Sequence, residues 1–322
     1  MSIEAQHTQV SGHPLSFSQH HLGWLYRNGF IPDLPLELGP FPLVPDQVAA
    51  EALEEHLRKQ LIGWGIVSEG LLNPEARFLF ESLLGIGVTW TVWGTVLLHS
   101  LKTNDRAEFD PEGIDEWGLK HAVRDVPRVH FMICVTPKEI ITVLNAPPNL
   151  IMNRVPIKGP NLALQVGVIL KSMLDPQQQW NPWPGPSLSA PMSVITKLVE
   201  IPEASRLDLG DEEVTKRPDV VKRALRELEM SSKTSEALAE LSSYPTTAVA
   251  QVSINFPTPS GWVTPPVSMG VSFLDGAGVM VSYPAGKTEQ TRTLYYVPGN
   301  DEGFEKGILS LTEAARSASS SR

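Results

Sequence analysis

The chain has 322 residues, 42% of them apolar, enough for one large domain or two small ones, and a formal net charge of -10. Lys and Arg are nowhere clustered, which excludes a nucleic-acid surface built on phosphate neutralisation. The single cysteine, Cys134, excludes an internal disulfide and fits a reducing compartment.

The polar start "MSIEAQHTQVSG" lacks the apolar core of a signal peptide, and residues 1–14 are expected to be disordered. The longest apolar run, "GIGVTWTVWGTVLL", falls short of the roughly 20 residues that a spanning helix needs. A soluble cytoplasmic protein without membrane contact follows as the expectation.

A first helix is predicted in "FSQHHLGWLYRNG", then a Pro-rich extended segment, "FIPDLPLELGPFPLVP". Pro45-Asp46 opens a second helix in which Ala49, Leu53, Leu57 and Leu61 recur every four residues as an apolar stripe. Asn73-Pro74 starts a third, with Asn as N-cap and Pro at the first position, where its missing N–H costs nothing. Strands are then expected in "VTWTVWGTVLLHSL", "RVHFMICV", "EIITVLNA" and "NLIMNRVP", the first two separated by the charged insert "KTNDRAEFDPEGIDEWG". A helix follows in "GPNLALQVGVILKSML", through Leu162, Val166, Ile169 and Met173.

"DPQQQWNPWPGPSLSAP", residues 175–191, is too rich in Pro for regular structure and is expected to be the joint between halves. Beyond it a charged helix is predicted from Pro218 through Val221, Ala224, Leu225 and Leu228, and a shorter one through Ala237, Leu238 and Leu241. Strands follow in "TAVAQVSINF", in the hairpin from Val267 to Gly286 and in "RTLYYVP". In the hairpin, Val267, Met269, Val271 and Phe273 alternate with small polar residues, Asp275-Gly276-Ala277-Gly278 makes the turn, and Val279, Val281 and Tyr283 resume the period of two. A last helix carries Phe304, Ile308, Leu311 and Ala315 on one face.

Each half thus runs helix, helix, antiparallel strands, helix. This predicts an α+β fold of two similar, pseudo-twofold halves, residues 15–174 and 192–316, with a central mixed or antiparallel sheet, a C-terminal helical pair and a flexible tail at 317–322.

No catalytic or metal-binding constellation emerges. His20 and His21 are adjacent, no histidine pair has the i, i+4 spacing with Glu of a zinc hydrolase, and one cysteine cannot build a structural zinc site. Gly85-Ile86-Gly87 lacks the third glycine of a dinucleotide fingerprint and lies between helix and strand, the reverse of the required order. Apolar flanks make Cys134 a structural residue rather than a nucleophile, and Trp90 and Trp93 read as packing residues of a strand. The expectation is a binding protein with no catalytic residues, no metal and no cofactor.

Two stretches resemble a known family. "WGIVSEGLLNPEARFLFESLL" and "MGVSFLDGAGVMVSYPAG" followed by "TLYYVPGNDEGFEKGILSLTEA" are similar to the EspG proteins, cytosolic chaperones of type VII (ESX) secretion in mycobacteria and related actinobacteria. The resemblance runs from about Leu15 to Ala315. It departs at the Pro-rich stretch around Trp180 and at "GKTEQTR", which replaces the usual Phe-Asp-Gly before the last strand. It implies a protein that binds the apolar tip of the PPE member of a PE/PPE heterodimer, keeps the pair soluble and helps select its secretion system. The partner-binding positions it implies are Asn28 and Gly29, Lys102, Asn104 and Asp105, Pro147 and Asn149, the loop "PTPSGWVTP" with Trp262, and part of the C-terminal helical pair. Trp262, beside Gly261 and a Pro-rich turn, is expected to have little local core to enter. An enzyme with a loop-built site, a structural subunit of a larger assembly, and a monomer or a homodimer stay open at this point.

Overall fold

A computed structural model describes residues 15–32, 47–98, 128–146, 149–201, 204, 211–258, 261–286 and 291–320. The expectations for residues 1–14, for most of the Pro-rich segment before Gln47 and for the charged insert lie outside these.

Among the described residues the chain forms strand β1 (Leu15–Ser18), helices α1 (Gln19–Arg27) and α2 (Gln47–Gly63), the small pair β2 (Val67–Ser68) and β3 (Leu71–Leu72), and helix α3 (Pro74–Leu83). Strands β4 (Trp90–Leu98), β5 (Arg128–Val135), β6 (Glu139–Ala146) and β7 (Asn149–Pro156) follow, and then helix α4 (Leu162–Leu174). A similar sequence of elements then returns. It consists of β8 (Leu188–Pro191), α5 (Met192–Val199), α6 (Asp211–Glu227), α7 (Ser232–Ser243), β9 (Thr246–Thr258), β10 (Gly261–Val263), β11 (Met269–Leu274), β12 (Gly278–Ala285), β13 (Thr293–Pro298) and α8 (Asp301–Ser320). It has no counterpart of the β2–β3 pair, and β10 is an added short strand.

The described residues form two compact units, one within 1–94, 129–160 and 254–264 and the other within 95–128, 161–253 and 265–322. Strands β4 and β9 therefore have residues in both. The strand order is β1-β7-β6-β5-β4 through the first-half strands and β8-β13-β12-β11-β9 through those of the second, with β10 on β9. Each short strand that precedes the first helix of its half, β1 or β8, pairs antiparallel with the last long strand of that half, β7 or β13. The fold is α+β with a large antiparallel sheet, as the sequence predicts, and its topology repeats.

In the first unit, α1, α2 and α3 lay Leu22, Leu25, Leu57, Leu61, Leu79 and Phe80 on Met132, Cys134, Ile141, Val143, Leu150 and Met152 of the strands. Each of these residues is at most 3% exposed. Asn73 caps α3 as expected, its side-chain oxygen accepting from Ala76 N at 2.6 Å. In the second unit α8 packs on β12 and α4. The hairpin forms around the predicted turn, with Val271 opposite Val281 and Phe273 opposite Val279. Its turn places Gly276 and Gly278 at φ +74° and +98°, where a side chain would be strained.

Four local expectations are corrected. Phe17 belongs to strand β1, not to the first helix; it pairs with Leu150 and only Ser18 marks the change to helix. The Pro-rich stretch 175–191 is not without regular structure. Leu188 and Ala190 are buried while Ser189 and Pro191 face out, a period of two that makes β8 an edge strand ending in proline. Upstream, Trp183 N donates to Val279 O and Val279 N donates to Asn181 O, so this stretch is hydrogen-bonded alongside β12. Helix α6 begins at Asp211 and carries Pro218 inside it rather than at its start. Finally, the sequence-based expectation omits helix α5; none of its eight residues is fully buried, but Val194, Ile195 and Leu198 fall at helical spacing and pack, partly buried, against the core of the second unit.

Candidate partner-binding surface

The Cys134 thiol is buried in β5 opposite Ile141, and burial raises its pKa strongly, so no thiolate is on offer. His21 is held in hydrogen bonds to Ser18 and Gln60. Among the described residues no three His, Cys, Asp or Glu side chains are grouped to hold a metal ion. No described helix is long and apolar enough to cross a membrane.

Asn28 and Gly29 end helix α1. Asn28 N and Nδ2 both reach Trp24 O, at 3.1 and 2.9 Å, Gly29 N donates to Tyr26 O, and Phe30 N donates to Leu25 O. Gly29 sits at φ +71°, so the reversal needs glycine there, as in a Schellman-type ending. Both residues are exposed, next to the partly exposed Tyr26 and above the stacked rings of Trp24 and Phe30. The end of α1 thus exposes an amide side chain and a glycine backbone beside Tyr26.

Asn149, also exposed, opens β7 and pairs with Ser18, the residue before α1. It therefore stands at the N-terminal end of α1 and Asn28 at the C-terminal end, about 14 Å apart for nine residues at 1.5 Å each. The fold sets these two candidates at opposite ends of one helix rather than in one cluster.

Trp262 has more local core than expected. It lies in β10, opposite Pro257 of β9, and its ring meets Trp93 edge to face with centroids 5.7 Å apart. A Cβ added at Gly85, whose φ is +85°, would come within 2.6 Å of the ring. The tryptophan is half-buried because distant parts of the chain, at Gly85 and Trp93, come to it. Lys102, Asn104, Asp105 and Pro147 lie outside the described residues.

The helical pair of the second unit adds a surface that spacing did not single out. Helix α4, LALQVGVILKSML, has one charge in thirteen residues. Only Val166, Gly167 and Leu170 are buried. The apolar face is shifted from the predicted Leu162, Ile169 and Met173, which are only half-buried, and Val168 is 37% exposed. The cause is a close crossing on α8: a Cβ at Gly167 would lie 3.1 to 3.2 Å from the backbone of Phe304 and Glu305. Lys171 pairs with Asp301 at 2.7 Å, and Asn161 Nδ2 donates to Glu305 at 2.7 Å, so α4 and α8 run antiparallel. On α8 Leu309 is also exposed, at 44%. A nearly uncharged helix left half open is the signal the sequence did carry.

No protein-family model matches the chain, and no curated protein matches it. Among solved structures it is similar to the type VII secretion system chaperone EspG5 of Mycobacterium tuberculosis, in complex with the PE25-PPE41 dimer. The TM-score is 0.64 at 13% identity, over 94% of this chain and 97% of that one. The likeness shows that the chain has the EspG5 fold.

Proposed function

We propose that this chain is an EspG-type chaperone of type VII (ESX) secretion, a non-enzymatic cytoplasmic protein. Its partner is the PPE member of a PE/PPE heterodimer, whose apolar tip it covers, keeping the pair soluble and helping to select the secretion system. The observation that carries this reading is a shared fold over nearly the whole of both chains, the other of which is a chaperone solved with its PE-PPE dimer. The half-open apolar surface of α4 supports it, since an exposed apolar helix face is a feature of protein-binding surfaces. In this reading Asn28, Gly29, Asn149 and Trp262 of the first unit contribute partner contacts, and Lys102, Asn104, Asp105 and Pro147 are further proposed contact positions. Val168 and its half-buried neighbours on α4 contribute them in the second unit.

The test is co-expression with the PE/PPE pairs encoded nearby, followed by size exclusion. A co-eluting ternary complex is expected with one pair, and Val168→Asp should remove it while leaving the melting temperature unchanged. If no pair co-elutes, the chaperone reading fails.

A further inference from the structure

The corner where β1 turns into α1 is built on a buried imidazole. His21 is 7% exposed and occupies the third position of α1. Its Nδ1 lies 3.0 Å from Ser18 N and 2.7 Å from Ser18 Oγ, and its Nε2 lies 2.9 Å from Gln60 Oε1 of α2. A backbone N–H can only donate, so Nδ1 is the acceptor and Nε2 carries the proton given to Gln60. The ring is boxed by Trp64, centroids 4.8 Å apart, and by Phe17 at 6.4 Å. One neutral tautomer thus ties together the strand β1, the start of α1 and the last turn of α2.

We propose that His21 is an acid-sensitive latch: in its neutral form it fastens the β1–α1 corner to α2, and on protonation it releases that corner while the rest of the fold stays intact. A proton on Nδ1 would point at the Ser18 N–H, donor against donor. The Ser18 hydroxyl can turn and accept from the new N–H, but the backbone amide cannot. The ionisable and charged groups around the ring offer no relief. From α1 comes His20 and from α2 His56, and the charge of either opposes a second imidazolium. Further along the same contact Arg27 and Glu54 already pair with each other. Gln60 is neutral, and Ser18, Phe17 and Trp64 carry no charge. Burial, the largest influence on the group, also lowers its pKa. The corner is short enough to leave alone: β1 has four residues at the end of the strand order, paired only with β7.

Hydrogen exchange of the full chain at pH 7.5 and 5.5, corrected for intrinsic exchange rates, tests the latch. Protection of the amides of residues 15–25 should fall by up to about tenfold between the two, the change expected for a site that binds a proton only when open. The β11–β12 hairpin should not change. In His21→Asn, whose side-chain oxygen can accept from Ser18 N but does not titrate, the difference should vanish. Gln60→Glu, which gives the imidazolium a carboxylate, should shrink it even if the first variant folds poorly. Equal protection at both pH values, or an unchanged fall in both variants, would overturn the latch.

Discussion

The corners β1–α1 and β8–α5 hold the same place in the repeated order of elements, yet they are secured by opposite means. Helix α1 buries five of its nine residues, His21 to Leu25, and is fastened through Ser18 and His21. Helix α5 fully buries none of its eight, starts after Pro191 with no side-chain cap, and is held by Met192 N donating to Arg292 O and by the partly buried Val194, Ile195 and Leu198. Strand pairing is common to both: β1 on β7 and β8 on β13, four residues each. The repeat is thus one of backbone topology, in which hydrogen-bonded register is kept and side-chain anchoring differs. A superposition of residues 15–174 on 192–316 is expected to match the strands well and to diverge at these first helices.

The sharpest break of the comparison is in the core. Leu25→Ala removes a side chain with no exposure and should lower unfolding free energy by about 2–5 kcal/mol in urea titrations. Val199→Ala in α5, where the side chain is 61% exposed, should cost no more than about 0.5 kcal/mol. Equal losses would mean that the two corners share their anchoring after all.

The tryptophan of β10 gives the next largest effect. Because Gly85 has no room for a Cβ beneath the Trp262 ring and holds a positive φ, Gly85→Ala should lower stability by about 2 kcal/mol. Trp262→Ala should cost a similar amount, about 2 kcal/mol, by stripping Trp93 of its partner. In the double variant the steric part of the loss disappears, so the two should add to less than their sum. Strict additivity would show that the ring does not rest on Gly85. For Trp262→Ala, a weaker partner complex alone would then not prove a contact, and affinity has to be compared at matched stability.

Trp262 also marks what could be read in advance. Strands β5, β6 and β7 coincide with the stretches picked out in the sequence, because alternation and apolar runs bounded by Pro, Lys and Asn are local signals. Its neighbours Gly85 and Trp93 are about 170 residues away in the chain, and no window of sequence brings them together. Helix α6 starts earlier than the sequence predicts for a related reason: proline at a first turn is the common case, but here Pro218 lies within the helix, behind about two charged turns, Asp211 to Arg217. The half-open face of α4 depended on Gly167 meeting α8, again a partner distant in sequence. Local patterns gave the elements, and their exposure was set by which elements met.

Acid should separate the corners further. All eight histidines precede residue 131, so nothing in the second half can respond as His21 does. Burial holds the His21 pKa below its ordinary 6.5 in the native state, and the unfolded chain therefore binds the proton more readily. The sign follows. The contribution of neutral His21 is complete above about pH 6.5 and declines as the pH drops from there toward the depressed native value, by at most about 1.4 kcal/mol per pH unit. Urea midpoints across pH 5 to 8 should show this slope, and it should be smaller in His21→Asn. An identical slope in the variant would assign the acid sensitivity to other groups.

The smallest effect compares the helices that lead into the long strands, α3 and α7. Asn73 accepts from Ala76 N at 2.6 Å and its amide also donates to Gly65 O, so one side chain caps α3 and ties it to the turn after α2. Ser231, at the same place before α7, accepts from Thr234 N at 3.2 Å, and its hydroxyl donates to the Thr234 hydroxyl, a bond within its own turn. Loss of an N-cap costs about 1 kcal/mol in general. Asn73→Ala should exceed this, at about 1.5 kcal/mol, because Gly65 O loses its donor as well, whereas Ser231→Ala should fall below it, at about 0.5 kcal/mol. Asn73→Ser restores the cap but not the reach to Gly65 and should recover about half the loss. If Asn73→Ser is as damaging as alanine, the tie to Gly65 rather than the cap secures α3, and the first half is then held at both its corners by side chains that bridge separate elements.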